Sequence, residues 1–154
     1  MNLNYRIMEI YVGIVLIDTN ERIYLVKEDD KNSIGENRWN LPGGSVDGNE
    51  TLIESVKREC LEETGYLVKL ESVVGIYRCR KLKNEWIYVV FSGTTYARKT
   101  KIIDEGIRLG RWFDRSKFLH LDSSKLVHPD MQLVYKLSIE KKGLPIEAIK
   151  SIVY

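Results

Sequence analysis

Residues 43–66 read GGSVDGNETLIESVKRECLEETGY, and from Glu50 onward this stretch carries five glutamates on what its spacing predicts to be one short helix. Glu62 and Glu63 fall at the C-terminal end, where the helix macrodipole already concentrates negative charge. Glutamates three or four positions apart repel by roughly 0.2–0.5 kcal/mol per pair, so the arrangement needs a compensating partner. Taking about 100° per residue, Leu52, Ile53, Val56 and Cys60 form one apolar face. Glu59, Glu62 and Glu63 occupy the adjoining arc, with Glu63 at the edge of the apolar face, while Glu54, Lys57 and Arg58 lie on the far side. Solvated glutamates have no reason to gather beside a core-facing stripe, with Gly65 as a C-terminal cap directly after them. A hard divalent cation, Mg²⁺ or Mn²⁺, would resolve the conflict because it prefers oxygen ligands and brings positive charge.

The flanking sequence supplies a frame for that helix. Residues 10–17 (IYVGIVLI) and 22–28 (RIYLVKE) are β-rich runs joined by the polar turn Asp18 to Glu21, which predicts an antiparallel hairpin. The polar loop EDDKNSIGENR then leads to Trp39-Asn40-Leu41-Pro42-Gly43-Gly44, where proline and paired glycines force a turn. After Gly65, runs from about Leu67 to Arg80 and Trp86 to Tyr96 predict a second hairpin, connected through Lys81 to Glu85. Arg108 to Phe113 reads as a short strand, and Pro129 to Lys142 as a helix closed by Gly143.

Composition narrows the class. A chain of 154 residues that is 44% hydrophobic can build one core, so residues 1–154 are expected to form a single domain. A net charge of +2, from 24 basic and 22 acidic residues, argues against dedicated nucleic-acid binding. Cys60 and Cys79 form neither a CxxC pair nor a zinc-ligand spacing, which predicts free, reduced thiols and a cytoplasmic setting. The apolar run Ile10 to Ile17 is far too short to span a membrane. Monomer and homodimer are both compatible with these features.

The stretch resembles the signature of Nudix hydrolases, G-x5-E-x7-R-E-U-x-E-E-x-G-U with U a bulky apolar residue. Gly44, Glu50, Arg58, Glu59, Cys60, Glu62, Glu63, Gly65 and Tyr66 fill it in register, with Cys60 small and Tyr66 aromatic for their slots. The resemblance implies an α/β/α sandwich with a mixed β-sheet between helices. It also implies a metal-dependent hydrolase that cleaves the pyrophosphate bond of a nucleoside diphosphate linked to another moiety, a small-molecule nucleotide such as a nucleoside triphosphate or nucleotide sugar. Carried over by position, Glu59, Glu62 and Glu63 with the Gly43 carbonyl would bind Mg²⁺ or Mn²⁺. Arg58 would orient Glu59, the first candidate for the general base, and Glu50, Gly44 and Gly65 would support the site. In this family the base can instead lie on a distant loop, where Glu105 is the candidate and its neighbour Asp104 the alternative.

Arg78 and Arg80 would share one face of an extended strand, as candidates to meet substrate phosphates or as the solvated end of a hairpin. Tyr11, Tyr24, Trp39, Tyr77, Tyr88 and Trp112 are candidates to stack on a base, although aromatic residues in strands usually serve the core. His120 and His128 read as surface or helix-boundary residues. The alternative to an enzyme is a Nudix domain that senses a nucleotide without turning it over; the intact carboxylate set favours the enzyme.

Overall fold

The computed structural model describes residues 8–28, 35, 37–101 and 104–151. The strands are β1 (Glu9–Ile17), β2 (Ile23–Glu28), β3 (Gly43–Ser45), β4 (Tyr66–Lys81), β5 (Asn84–Arg98), β6 (Ile107–Phe113) and β7 (Leu144–Pro145). The helices are α1 (Leu52–Thr64), α2 (Arg115–Leu119) and α3 (Met131–Ile139). Both predicted hairpins form. β1 and β2 meet at Ile17 and Ile23, across a turn in which Asp18 Oδ1 accepts from the backbone N–H groups of Asn20 and Arg22, both at 2.9 Å. β4 and β5 pair antiparallel from Tyr66 opposite Arg98 to Lys81 opposite Asn84.

The sheet runs β6-β2-β1-β5-β4-β7, with β3 paired to β1 beside this path. β1 lies parallel to β5 at its centre, and every other pairing is antiparallel. The central strand is therefore covered on both faces, which is why its sequence reads as an unbroken apolar run and not an alternation. Val12, Ile14 and Leu16 pack in one cluster with Val56 and Cys60 of α1. Val15 and Ile17 face the other way, into a cluster with Phe118 of α2 and Met131, Val134 and Tyr135 of α3. Helices on both faces of a mixed sheet make the expected α/β/α sandwich.

Boundaries shift by a few residues from the sequence reading. α1 begins at Leu52 and leaves Glu50 outside the helix, and the helix expected over 129–142 contracts to Met131–Ile139. Most of the loop after β2 lies outside the described residues. Among the described residues no helix is long and apolar enough to cross a membrane, and both cysteines are free.

Candidate active site

The N-terminal end of α1 is closed by its own sequence. Thr51 is the N-cap: its side chain accepts from the Glu54 N–H at 3.2 Å, while Glu54 Oε2 accepts from the Thr51 N–H at 2.8 Å, a complete capping box. At the other end Gly65 takes a left-handed φ of 75°, and its N–H donates to the Leu61 carbonyl at 2.8 Å. A side chain at residue 65 would meet the Thr100 carbonyl as well as an unfavourable φ. No basic residue stands in the last turn.

Arg58 gathers three of the glutamates. Its Nε and Nη2 donate to the two Glu50 oxygens, each at 2.9 Å, and its Nη1 donates to Glu59 at 2.7 Å and Glu62 at 3.1 Å. Nη2 also donates to the Ser45 carbonyl at 3.1 Å, tying the helix to the glycine strand β3. The hydrogen bonds from Arg58, then that from the Ser55 hydroxyl, hold Glu50 down at about 2. Glu50 thus acts as the anchor of Arg58. Glu59 and Glu63 differ from it: they are only 7% and 6% exposed. Burial raises the pKa of Glu59, with further upward pushes from the charges of Glu62 and Asp104, against the lowering contact of Arg58. Burial also raises Glu63 well above the ordinary range, aided by Glu59, Asp104 and Glu28.

Gly43 joins this cluster to the sheet. Its N–H donates to Glu63 Oε2 at 2.8 Å, and a Cβ at residue 43 would run into the Val12 carbonyl of β1. Gly43, Gly44, Glu63, Asp104 and Glu28 line one end of an open cleft of about 710 Å³. Tyr11, Trp86, Tyr88, Cys79 and Lys81 also line the cleft, with Tyr88 lying across Gly13 beside Gly43. Burial, then the charges of Glu63 and others, pushes the Tyr88 phenol up, so it remains a hydrogen-bond donor at neutral pH.

The loop acid that meets the cluster is Asp104. Its charge reaches both Glu59 and Glu63, and its N–H donates to the Glu62 carbonyl at 3.1 Å. Glu105 is exposed on the adjacent turn and does not line the cleft. Arg78 and Arg80 do share a face, but it is the face away from the cleft: both pair with Glu85 at 2.8 Å, while Cys79 and Lys81 alternate toward the cavity. They therefore brace the hairpin, and neither lines the cleft. His128 is half-buried between Tyr77 and Tyr88, with ring centroids at 4.6 and 5.8 Å, and lines the cleft; of the two readings, surface or helix boundary, its place just before α3, where its carbonyl accepts from the Met131 N–H, fits the second. Of the candidate stacking residues, Tyr11 and Tyr88 line the cleft, whereas Tyr24 and Trp39 are buried in the two cores. Glu28 and Trp86 escaped the sequence reading; each lies at or near a strand end, where an acid or an aromatic carries no motif.

The donor set is chemically suited to a hard divalent cation, being all oxygen, largely buried and short of positive charge. Among the described residues no three acidic, histidine or cysteine side chains already converge as a ligand set. Glu59 and Glu62 are turned to Arg58, and Glu63 to Gly43.

Fold and helix together make the protein a Nudix-type α/β/α sandwich. The family model described as NUDIX domain matches residues 9–134, and the chain belongs to that family. It is 38% identical over 72 residues to a Bacillus subtilis (strain 168) protein named "Putative 8-oxo-dGTP diphosphatase", a match over 47% of this chain and 45% of the relative. The chain thus spans less than half of that relative's length. It is 31% identical over 121 residues to the ADP-ribose pyrophosphatase of Methanocaldococcus jannaschii, covering 76% of this chain and 70% of that one. A solved Nudix hydrolase from Nitrosomonas europaea superposes with a TM-score of 0.76 at 23% identity, over 95% of this chain and 98% of the other, a likeness of fold.

Proposed function

We propose that the protein is a metal-dependent pyrophosphohydrolase that cleaves the phosphoric anhydride of a nucleoside diphosphate linked to another moiety. The observation that carries this reading is the pair Glu59 and Glu63, both buried on the C-terminal half of α1 at the site that Gly43 and the cleft share, with Glu63 in the last turn where the dipole disfavours it. Carboxylates in that position are costly unless a cation is held there, and the two relatives above are named for hydrolysis of nucleotide anhydrides. Glu59, Glu62 and Glu63 with the Gly43 carbonyl would hold Mg²⁺ or Mn²⁺, which supplies charge for the phosphate oxygens and acidifies the attacking water. Glu59 accepts the proton of that water as general base. Arg58 keeps its carboxylate in place, and Glu50 keeps Arg58 in place. Asp104, by its charge contact with Glu59 and Glu63, is a better second acid than the exposed Glu105.

A panel of nucleoside triphosphates, dinucleoside polyphosphates and nucleotide sugars, incubated with Mg²⁺, Mn²⁺ or EDTA, tests the reading. Release of phosphate-containing products with either cation and none with EDTA is the expected result. A protein that binds panel members yet returns them all intact with both cations is a nucleotide sensor and overturns it.

A further inference from the structure

The far end of the cleft is where β1 and β5 run parallel with Glu9 beside Trp86 and Tyr11 beside Tyr88. β1 serves as a ruler along the cavity. Gly13, near its middle, pairs with Gly43, whose N–H holds Glu63. The Tyr88 side chain lies across Gly13, where a Cβ would collide with the phenol oxygen. From Gly13 to Glu9 is four residues, roughly 13 Å of strand, which suits a ribose and its phosphates reaching from the carboxylates to a base at the far wall.

That wall has the chemistry of a base site. Trp86 and Tyr11 meet edge to face with centroids 6.4 Å apart, which leaves them unstacked on each other and available to a flat ligand. Glu9 lines the same cleft, and its Oε2 accepts from the Tyr11 hydroxyl at 3.1 Å. An ionised carboxylate has about four acceptor positions and no donor, so Glu9 retains acceptors for a ligand. Resting on the nucleotide reading above, we infer that Glu9, Tyr11 and Trp86 form a nucleobase subsite selective for a purine with two adjacent hydrogen-bond donors, the guanine-type edge. The base stacks on Trp86, and its ring N–H and exocyclic amine donate to Glu9, which Tyr11 positions. Adenine offers a donor beside an acceptor, and uracil a donor between two carbonyls; each sets a lone pair against the carboxylate.

Two measurements test the subsite independently of turnover. In calorimetric titrations with EDTA present, GMP should bind about tenfold or more tightly than UMP, the discrimination typical of a two-bond contact. Glu9→Gln should reduce that ratio to below about threefold by weakening GMP binding and relieving the repulsion of UMP, and Tyr11→Phe should do so in part. In steady-state assays Trp86→Ala should raise KM for nucleoside triphosphates about tenfold with kcat within about twofold, as expected for lost base stacking. Trp86→Phe should recover most of this loss, and hydrolysis of inorganic triphosphate should be indifferent to either change. A base ranking untouched by Glu9→Gln, or a Trp86→Ala defect in kcat with KM unchanged, overturns the inference while leaving the hydrolase reading intact. Glu9-dependent GMP binding without hydrolysis of any nucleotide supports the subsite and overturns the hydrolase reading.

Discussion

The two ends of α1 are built on opposite terms. At the N-terminal end, Thr51 and Glu54 satisfy each other's backbone and place negative charge where the dipole favours it. In the C-terminal half, Glu59, Glu62 and Glu63 gather, two of them buried and the last two where the dipole disfavours negative charge, with no basic residue in the last turn. A sequence shaped for stability alone would have put lysine or arginine there. One end holds the helix together; the other concentrates carboxylates that Arg58 and the Gly43 N–H offset only in part.

The largest expected effect comes from breaking the carboxylate end. Glu62→Gln or Glu63→Gln should each lower kcat by about a hundredfold or more, the scale of losing charge stabilisation in the transition state. Steady-state assays with saturating Mg²⁺ measure it, and near-full turnover in either variant removes that residue from the ligand set. Arg58→Ala should follow, with roughly a tenfold loss in activity because Glu59 and Glu62 lose the group that orients them. Arg58→Lys should recover little, since an ammonium cannot reproduce the paired contact with Glu50.

The capped end sharpens the contrast through stability. Thr51→Ala should cost about 1 kcal/mol in denaturant unfolding while kcat stays unchanged. A matching fall in kcat would show that the two ends are not separable. The smallest effect concerns metal-free protein. Glu63 has a folded pKa above its unfolded value, so its contribution to stability is fully present below the ordinary glutamate range and is lost as pH rises through the folded pKa. In EDTA, wild-type Tm should therefore decline from about pH 5 toward neutral. Glu63→Gln should decline less and be more stable at pH 7 by roughly 0.5–1 kcal/mol. An amide oxygen can still accept from the Gly43 N–H. A variant less stable than wild type at pH 7 would mean that the Gly43 contact needs the full carboxylate charge, and adding Mg²⁺ should reverse the expected order.

The chain alone determined the helix, its Gly65 cap, both hairpins and the register of Gly44, Glu50, Arg58, Glu59, Glu62, Glu63 and Gly65, because each depends on local spacing, whereas the Thr51 capping box was not read from it. Local periodicity also put Arg78 and Arg80 on a common face. It contained nothing to say which face, since alternation has no sign until the sheet has its neighbours; the structure turns both arginines to Glu85 and Lys81 to the cleft. The same limit hid Glu28, and put Glu105 ahead of Asp104, whereas the turn around Gly106 leaves Glu105 exposed and Asp104 lining the cleft. The parallel pairing of β1 with β5 was beyond any local pattern, because it joins residues 77 apart in sequence with β2, β3, α1 and β4 between them. Tertiary structure alone therefore decided that Glu9 and Tyr11 stand beside Trp86, and that Glu59 and Glu63 are buried. Pairing partners and burial are properties of the whole packed sheet, whereas caps, turns and amphipathic faces are written in neighbouring residues.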